Sequence, residues 1–150
     1  MYKEISKAEY RDLQEILKLQ YLAYQSEAML FGSKDIPPLK ETFEELAEEF
    51  EKGTILKVVS ENSIIGSVRA EEKDGTVYIG KLMVHPDFRR KGLGTALLQE
   101  IENCYPHRRY ELFTSTRSIN NIRLYTHNGY KEFKRKAVND ALMFVYLQKI

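Results

Sequence analysis

Arg89-Arg90-Lys91-Gly92-Leu93-Gly94-Thr95 follows an apolar, strand-like run, Leu82-Met83-Val84, and opens a helical pattern of Leu93, Ala96, Leu97 and Ile101. Three cations, two glycines and a helix start at one place make an anion site. Free backbone N–H groups at a helix N-terminus point outward, and the helix dipole places about half a positive charge there. Glycine lets a phosphate come close to the backbone, because no Cβ stands in the way. The same residues would also serve a plain strand–turn–helix connection with solvated basic side chains. The choice rests on the remainder of the chain.

The stretch is not a Walker loop, since it lacks the Gly-Lys-Ser/Thr sequence with an upstream glycine. It is a poor dinucleotide fingerprint too, because Leu97 stands where a third glycine is needed. Arg89-x-x-Gly92-x-Gly94 resembles the pyrophosphate loop of the GNAT N-acetyltransferase superfamily, whose signature is Gln/Arg-x-x-Gly-x-Gly/Ala. The approach Leu82-Met83-Val84-His85-Pro86 fits that family as well. The resemblance implies that Gly92, Leu93, Gly94 and Thr95 hold the diphosphate of acetyl-CoA through their N–H groups, with Arg89, Arg90 and Lys91 around it. It also implies that the strand before the loop splays from the strand after the helix. The backbone of Leu82, Met83 and Val84 would then pair with the pantetheine arm as an added strand would. As side chains alone, those three are ordinary buried strand residues.

Composition sets the frame. The chain has 150 residues, 43% hydrophobic and 30% charged, which suits one globular domain over residues 1–150 with a real core. Net charge is +1, so no global field favours nucleic acid or a membrane surface. No apolar run approaches the length of a membrane span, and Met1-Tyr2-Lys3-Glu4-Ile5 lacks the apolar core of a signal peptide. One cysteine cannot form an internal disulfide. A cytoplasmic protein is expected.

Periodicity orders the elements. Tyr2 to Ile5 reads as a short edge strand; Ser6-Lys7-Ala8-Glu9 reads as a capping box before a helix carrying Tyr10, Leu13, Ile16, Leu17 and Tyr24. Phe31 to Leu39, with Gly32 and Pro37-Pro38, reads as a loop, and Thr42 to Glu51 as a second helix. Ile55 to Ser60, Ile64 to Glu71 and Val77 to Val84 form an antiparallel meander turned at Glu61-Asn62-Ser63 and Asp74-Gly75. Then come a helix from Gly92 to Cys104, a strand from Tyr110 to Thr116 and a short helix from Asn120 to Asn128. Strands from Tyr130 to Lys136 and from Leu142 to Lys149 finish the chain. The order β-α-α-β-β-β-α-β-α-β-β matches the GNAT fold. The expectation is an α/β (α+β) domain with a mixed, mostly antiparallel seven-stranded sheet and helices on both faces.

Acetylation of an amine needs a polarised carbonyl, a neutral amine and a proton for the departing thiolate. Ile122-Arg123-Leu124-Tyr125-x-x-Asn128-Gly129-Tyr130 resembles the family's second signature, and this implies that Tyr125 is the general acid. A tyrosine of pKa about 10 stays protonated at neutral pH and can donate to a thiolate whose conjugate acid lies near about 8.5. A tyrosine merely packed in the core would look the same in sequence. The asparagine usual seven positions earlier falls at Ser118; Asn121 is favoured to hold the cofactor, with Ser118 and Asn120 as alternatives. Asn120 and Asn121 equally suit N-capping. For the general base, Glu71, Glu72, Glu111, His85 and a water stay open.

The resemblance implies that the amine attacks acetyl-CoA directly; this suits a chain whose only cysteine, Cys104, shares helical spacing with Leu93, Leu97 and Ile101 and reads as core. His85, His107 and His127 have no metal spacing, and no metal is expected. The acids from Glu41 to Glu51 form a solvated face or, if they border the cleft, an attraction for a cationic amine. The implied function is an N-acetyltransferase taking acetyl-CoA and a primary amine of a small molecule or peptide. The alternative is a non-catalytic acyl-CoA sensor or assembly module on the same fold. Pairing of two copies through Met143-Phe144-Val145-Tyr146 into a homodimer is left open.

Overall fold

In the computed structural model, which describes residues 4–150, alternating apolar residues build one seven-stranded sheet. The strands are β1 (Ile5–Lys7), β2 (Thr54–Ser60), β3 (Ser63–Lys73), β4 (Thr76–Val84), β5 (Arg109–Ser115), β6 (Lys131–Ala137) and β7 (Met143–Lys149). Their spatial order is β1-β2-β3-β4-β5-β7-β6. Neighbours are antiparallel except β4 and β5, which are parallel and need the helical crossover between them. The fold is the expected mixed, mostly antiparallel sheet between helices.

Six helices cover the sheet: α1 (Leu13–Ala23), α2 (Gln25–Phe31), α3 (Pro37–Lys40), α4 (Phe43–Lys52), α5 (Leu93–Asn103) and α6 (Ile119–His127). On one face Leu97, Leu98 and Ile101 of α5 and Tyr125 of α6 pack on Val58, Val68, Val77 and Leu112. On the other, Leu13, Ile16 and Leu17 of α1 and Leu46 of α4 pack on Ile55, Ile64 and Met83. Each fully buried aliphatic side chain is worth about 1.5–3 kcal/mol, so these two layers hold the sheet. Among the described residues no helix is long and apolar enough to cross a membrane.

Local chemistry moved several boundaries. Tyr2 and Lys3 lie outside the described residues, and β1 runs later than expected, from Ile5 to Lys7. The helix start is shifted too: Glu9, not Ser6, closes a capping box with Asp12 over the single turn Tyr10–Asp12. The expected loop from Phe31 to Leu39 contains a helix. Pro37 and Pro38 stand in the first turn of α3, where a fixed φ is favourable and no N–H is required. Helix α2 ends as Gly32 turns left-handed at φ 70°. α4 begins with Thr42 and Glu45 capping each other, Thr42 Oγ1 accepting from the Glu45 N–H at 3.2 Å. Cys104 ends α5 against the core, and burial pushes its thiol up, away from the thiolate form.

Candidate functional site

The site begins where the sheet opens. β4 and β5 pair only as Thr76↔Arg109, Val77↔Tyr110 and Tyr78↔Glu111, although β4 runs on to Val84 and β5 to Ser115. Beyond Tyr78 the two strands diverge, leaving a wedge at their C-terminal ends. In β4 itself an extra residue sits opposite β3, since Ser67↔Met83 is followed by Arg69↔Gly80. Lys81 lies in this bulge at φ 51°. The bulge reverses the alternation: Val77 and Ile79 face the α5 layer before it, and Leu82 and Val84 do so after it, with Met83 turned to α1.

The glycine loop follows directly. Pro86–Phe88 form one helical turn, Arg90 and Gly92 both take left-handed backbone (φ 64° and 81°), and Gly92 becomes the N-cap of α5. Ala96 N–H donates to Gly92 O at 3.1 Å, so the N–H groups of the first turn before it are left for another partner. A Cβ on Gly92 would meet nothing within 4 Å: the space over this turn is open. A Cβ on Gly94 would lie 3.1 Å from Leu124 Cδ2, which fixes how closely α5 approaches α6.

Arg89 does something that its sequence position did not indicate. Its guanidinium donates to Val84 O (3.2 Å), Ser26 Oγ (3.1 Å) and Ala23 O (2.8 Å), tying the loop to α1 and α2. Lys91 lies over the Phe88 ring, 5.5 Å from its centroid. Arg117, after β5, donates to Leu30 O at 3.1 Å and holds the other end of α2.

α6 carries the remaining residues. Tyr125 is 6% exposed, its ring 6.1 Å from that of Tyr130. Burial raises its phenol above the ordinary value, and the neighbouring Tyr24 and Glu27 push the same way. Asn121 Nδ2 donates to Glu27 Oε1 and to Thr114 Oγ1, each at 3.3 Å. Ser118 Oγ donates to Glu27 Oε2 at 2.5 Å. Thus Glu27 of α2, absent from the sequence candidates, is gripped by two residues of the α6 start.

Two spaces meet here. A groove of about 780 Å³ runs over the α5 N-terminus. Leu82, Met83, Val84, Arg89, Arg90, Gly92, Leu93, Gly94, Thr95 and Asn121 all line it; Lys91 does not. A second cavity, about 370 Å³, lies on the α1 face, walled by Tyr24, Phe31, Tyr78, Phe113, Phe144 and Tyr125. Tyr24, Glu27, Leu82 and Asn121 line both.

The expected solvated acidic face holds for Glu44, Glu45, Glu48 and Glu51, which are exposed, but not for Glu41 and Glu49. Glu41, just before α4, and Glu49 within it both reach Arg69 of β3, which is 6% exposed. Arg69 Nη1 donates to Glu41 Oε1 at 2.8 Å and also to Glu49, while Nη2 donates to buried Gln20. A cation in the apolar run Ile64-Ile65-Gly66-Ser67-Val68-Arg69-Ala70 was the available signal for a buried ion pair. Among the other acids considered as bases, Glu72 pairs with Arg108, and Glu111 pairs with Arg109 at 2.8 Å, both at the closed end of the wedge. His85 faces Asp87 and Phe88 in the loop, and Glu71 lines the smaller cavity. Among the described residues no group of three or more His, Cys, Asp or Glu is placed to hold a metal ion.

Comparison with known proteins agrees with this geometry. The coenzyme A complex of the PaiA N-acetyltransferase from Thermoplasma acidophilum superposes with a TM-score of 0.82 at 17% identity, over 99% of both chains. The ribosomal-protein-S18-alanine N-acetyltransferase of Escherichia coli gives 0.79 at 17% identity, over 99% of this chain and 93% of that one. At such identities these likenesses speak for the fold. The UPF0157 protein YqkA of Bacillus subtilis is 31% identical over 134 residues, 88% of this chain; the match spans 38% of that longer protein. The acetyltransferase (GNAT) domain model matches residues 51–132, over half of the chain, from the end of α4 through the wedge, the glycine loop and α6. The protein belongs to the GNAT acetyltransferase family.

Proposed function

We propose that the chain acts as a single N-acetyltransferase domain, moving an acetyl group from acetyl-CoA to a primary amine by direct attack. The observation that carries this reading is the junction of the groove and the smaller cavity at Tyr24, Glu27, Leu82 and Asn121, beside the wedge between β4 and β5. A donor and an acceptor entering from different sides meet there.

The N–H groups of Gly92, Leu93, Gly94 and Thr95 receive the diphosphate, and Arg90 and Lys91 supply charge around it. Arg89 serves the same anion by holding the loop against α2. The β4 edge past Tyr78, free of β5, pairs with the pantetheine arm through Leu82, Met83 and Val84. A backbone N–H of Met83 or Val84 polarises the thioester carbonyl. Asn121 steadies the arm from α6. Tyr125, held protonated by burial, gives its proton to the sulfur as the C–S bond breaks.

Calorimetric titration with acetyl-CoA, followed by thiol release with a panel of primary amines, tests the reading. Uptake of acetyl-CoA and amine-dependent thiol release support it. Uptake without turnover on any amine favours a sensor, and no uptake refutes both.

A further inference from the structure

Acetyl transfer requires the amine to lose a proton, and the junction of the two cavities holds one group able to take it. A thioester in the groove and an amine in the cavity meet where the spaces join, and four described residues line both: Tyr24, Glu27, Leu82 and Asn121. Leu82 has no proton chemistry and Asn121 is a neutral amide. Burial pushes the Tyr24 phenol up, against the opposing charge of Arg69, so it stays protonated. Glu27 is the carboxylate of the set.

Its setting suits a proton acceptor. Asn121 Nδ2 and Ser118 Oγ each donate to a different oxygen of Glu27, which fixes the carboxylate and leaves further lone pairs for a ligand. Among the described residues no lysine or arginine is within ion-pair distance of it, whereas Glu72 and Glu111 each have an arginine. A carboxylate without an ion-pair partner, at the edge of a mostly apolar cavity that Lys81, Arg69, Glu49 and Glu71 also line, attracts an ammonium group.

We infer that Glu27 binds the acceptor's ammonium group and is the base that deprotonates it, an assignment that rests on the acetyl-transfer reading. The ammonium gives one proton to Glu27; the freed nitrogen lone pair attacks the thioester carbonyl carbon. The C–N bond forms and the C–S bond breaks, and the sulfur takes a proton from Tyr125. The second proton leaving nitrogen makes good the one Tyr125 donated, so each turnover releases one proton, through Glu27, to solvent. Charged and titratable neighbours of Glu27 are Tyr24 at the end of α1, Tyr125 on α6, and Arg89 and Arg117, which flank α2 on the groove side. Arg69 with Glu41 and Glu49 lies behind Tyr24.

Glu27→Gln tests the inference separately from the reading it rests on. Calorimetry comes first: the native chain and the variant should bind acetyl-CoA within about twofold of each other, since the groove's phosphate end is untouched. Thiol release is then followed with phenethylamine, spermidine and an alanyl peptide with a free N-terminus, and the best acceptor is carried through a pH profile. The expected result is a fall in kcat/KM of about 100-fold or more at neutral pH. That deficit should narrow toward the amine's own pKa, near about 10 for phenethylamine or spermidine and about 8 for the peptide N-terminus, as solvent deprotonates it. Glu27→Asp keeps the base but withdraws it by one methylene. It should lose less and keep the native profile shape, and it answers the question if the Gln variant does not fold. Full kcat/KM at neutral pH in Glu27→Gln overturns the inference. So does a loss that is constant across pH and accompanied by weaker acetyl-CoA binding, which would make Glu27 a strut between α2 and α6. If the native chain takes up no acetyl-CoA, the acetyl-transfer reading itself falls. If it binds acetyl-CoA yet releases thiol with none of the three amines, the sensor reading is favoured and the base assignment falls with the acetyl-transfer reading, whereas full activity in Glu27→Gln overturns the base assignment alone.

Discussion

Gly94 of α5 faces Leu124 of α6 so closely that a Cβ on the glycine would stand 3.1 Å from Leu124 Cδ2. The contact sets the spacing of the two helices whose N-terminal ends border the larger groove. Gly94→Val should force them apart, destabilising by about 1–3 kcal/mol. By displacing the first-turn N–H groups it should also weaken acetyl-CoA binding about tenfold. Adding Leu124→Ala to the same chain makes room and should recover part of both losses, read as a coupling in a double-mutant cycle of Tm and calorimetric Kd. Strict additivity would show that the contact does not govern the groove.

Lys81 sits in the β4 bulge at φ 51°, where a β-branched residue is more strained than a linear one. Lys81→Val should cost about 1–2 kcal/mol, lowering Tm by about 5 °C. Lys81→Gly should fold at least as stably near the bulge, because glycine takes this backbone freely. A glycine variant less stable than the valine variant in thermal melts would contradict the role given to backbone strain.

Tyr125→Phe removes the hydroxyl and little else. Acetyl-CoA affinity should stay within about twofold, while kcat falls about 100-fold. Because burial, with Tyr24 and Glu27, raises the Tyr125 phenol, the native chain should show no loss of kcat as pH rises through the ordinary tyrosine range near about 10. Stopped-flow thiol detection across alkaline pH measures both. An alkaline limb near the ordinary tyrosine value, absent in Tyr125→Phe, would place an unshifted tyrosine in the reaction.

The two acids on Arg69 should affect stability in opposite ways. Burial acts to raise Glu41, but the Arg69 charge and the hydrogen bonds from Arg69 and Gln20 outweigh it, holding Glu41 below its ordinary 4.5. Glu41 therefore contributes stability above about pH 4.5, lost as pH falls through its lowered folded value. Burial, with the repulsion of Glu41, raises Glu49 despite Arg69. Its contribution is present below about pH 4.5 and lost as pH rises through its raised value. Urea unfolding should show Glu41→Gln destabilised by about 2 kcal/mol at neutral pH and less so in acid. Glu49→Gln at neutral pH should be neutral or stabilising. The reverse ranking at neutral pH would reassign which carboxylate Arg69 neutralises.

Much of the architecture was legible because it is local. Strand alternation from Ile55 to Val84, the turns at Asn62 and Gly75, the helix after Gly92 and its stop before Pro106 are each written within a few neighbouring residues. Backbone sterics and apolar periodicity act over that range. The parallel crossover from β4 to β5 followed from the helix between them. Pro37 and Pro38 misled as loop residues, because proline punctuates a chain equally well by ending one element or opening a helix.

The centre of the site was not legible in this way. Nothing near Lys81 signals the bulge that reverses the β4 alternation, since the extra residue exists only relative to its partner strand β3. Arg69 is conspicuous in its strand, yet its partners Glu41 and Glu49 look like any acids beside a surface helix. Glu27 meets Ser118 and Asn121 across 91 and 94 residues of chain. Which carboxylate stays free of arginine at the mouth of the wedge depends on distances across space, and these arise when α2 is laid over the β4–β5 opening and tied there by Arg89 and Arg117. Periodicity fixes which face a residue occupies; charge pairing depends on what the fold sets opposite that face.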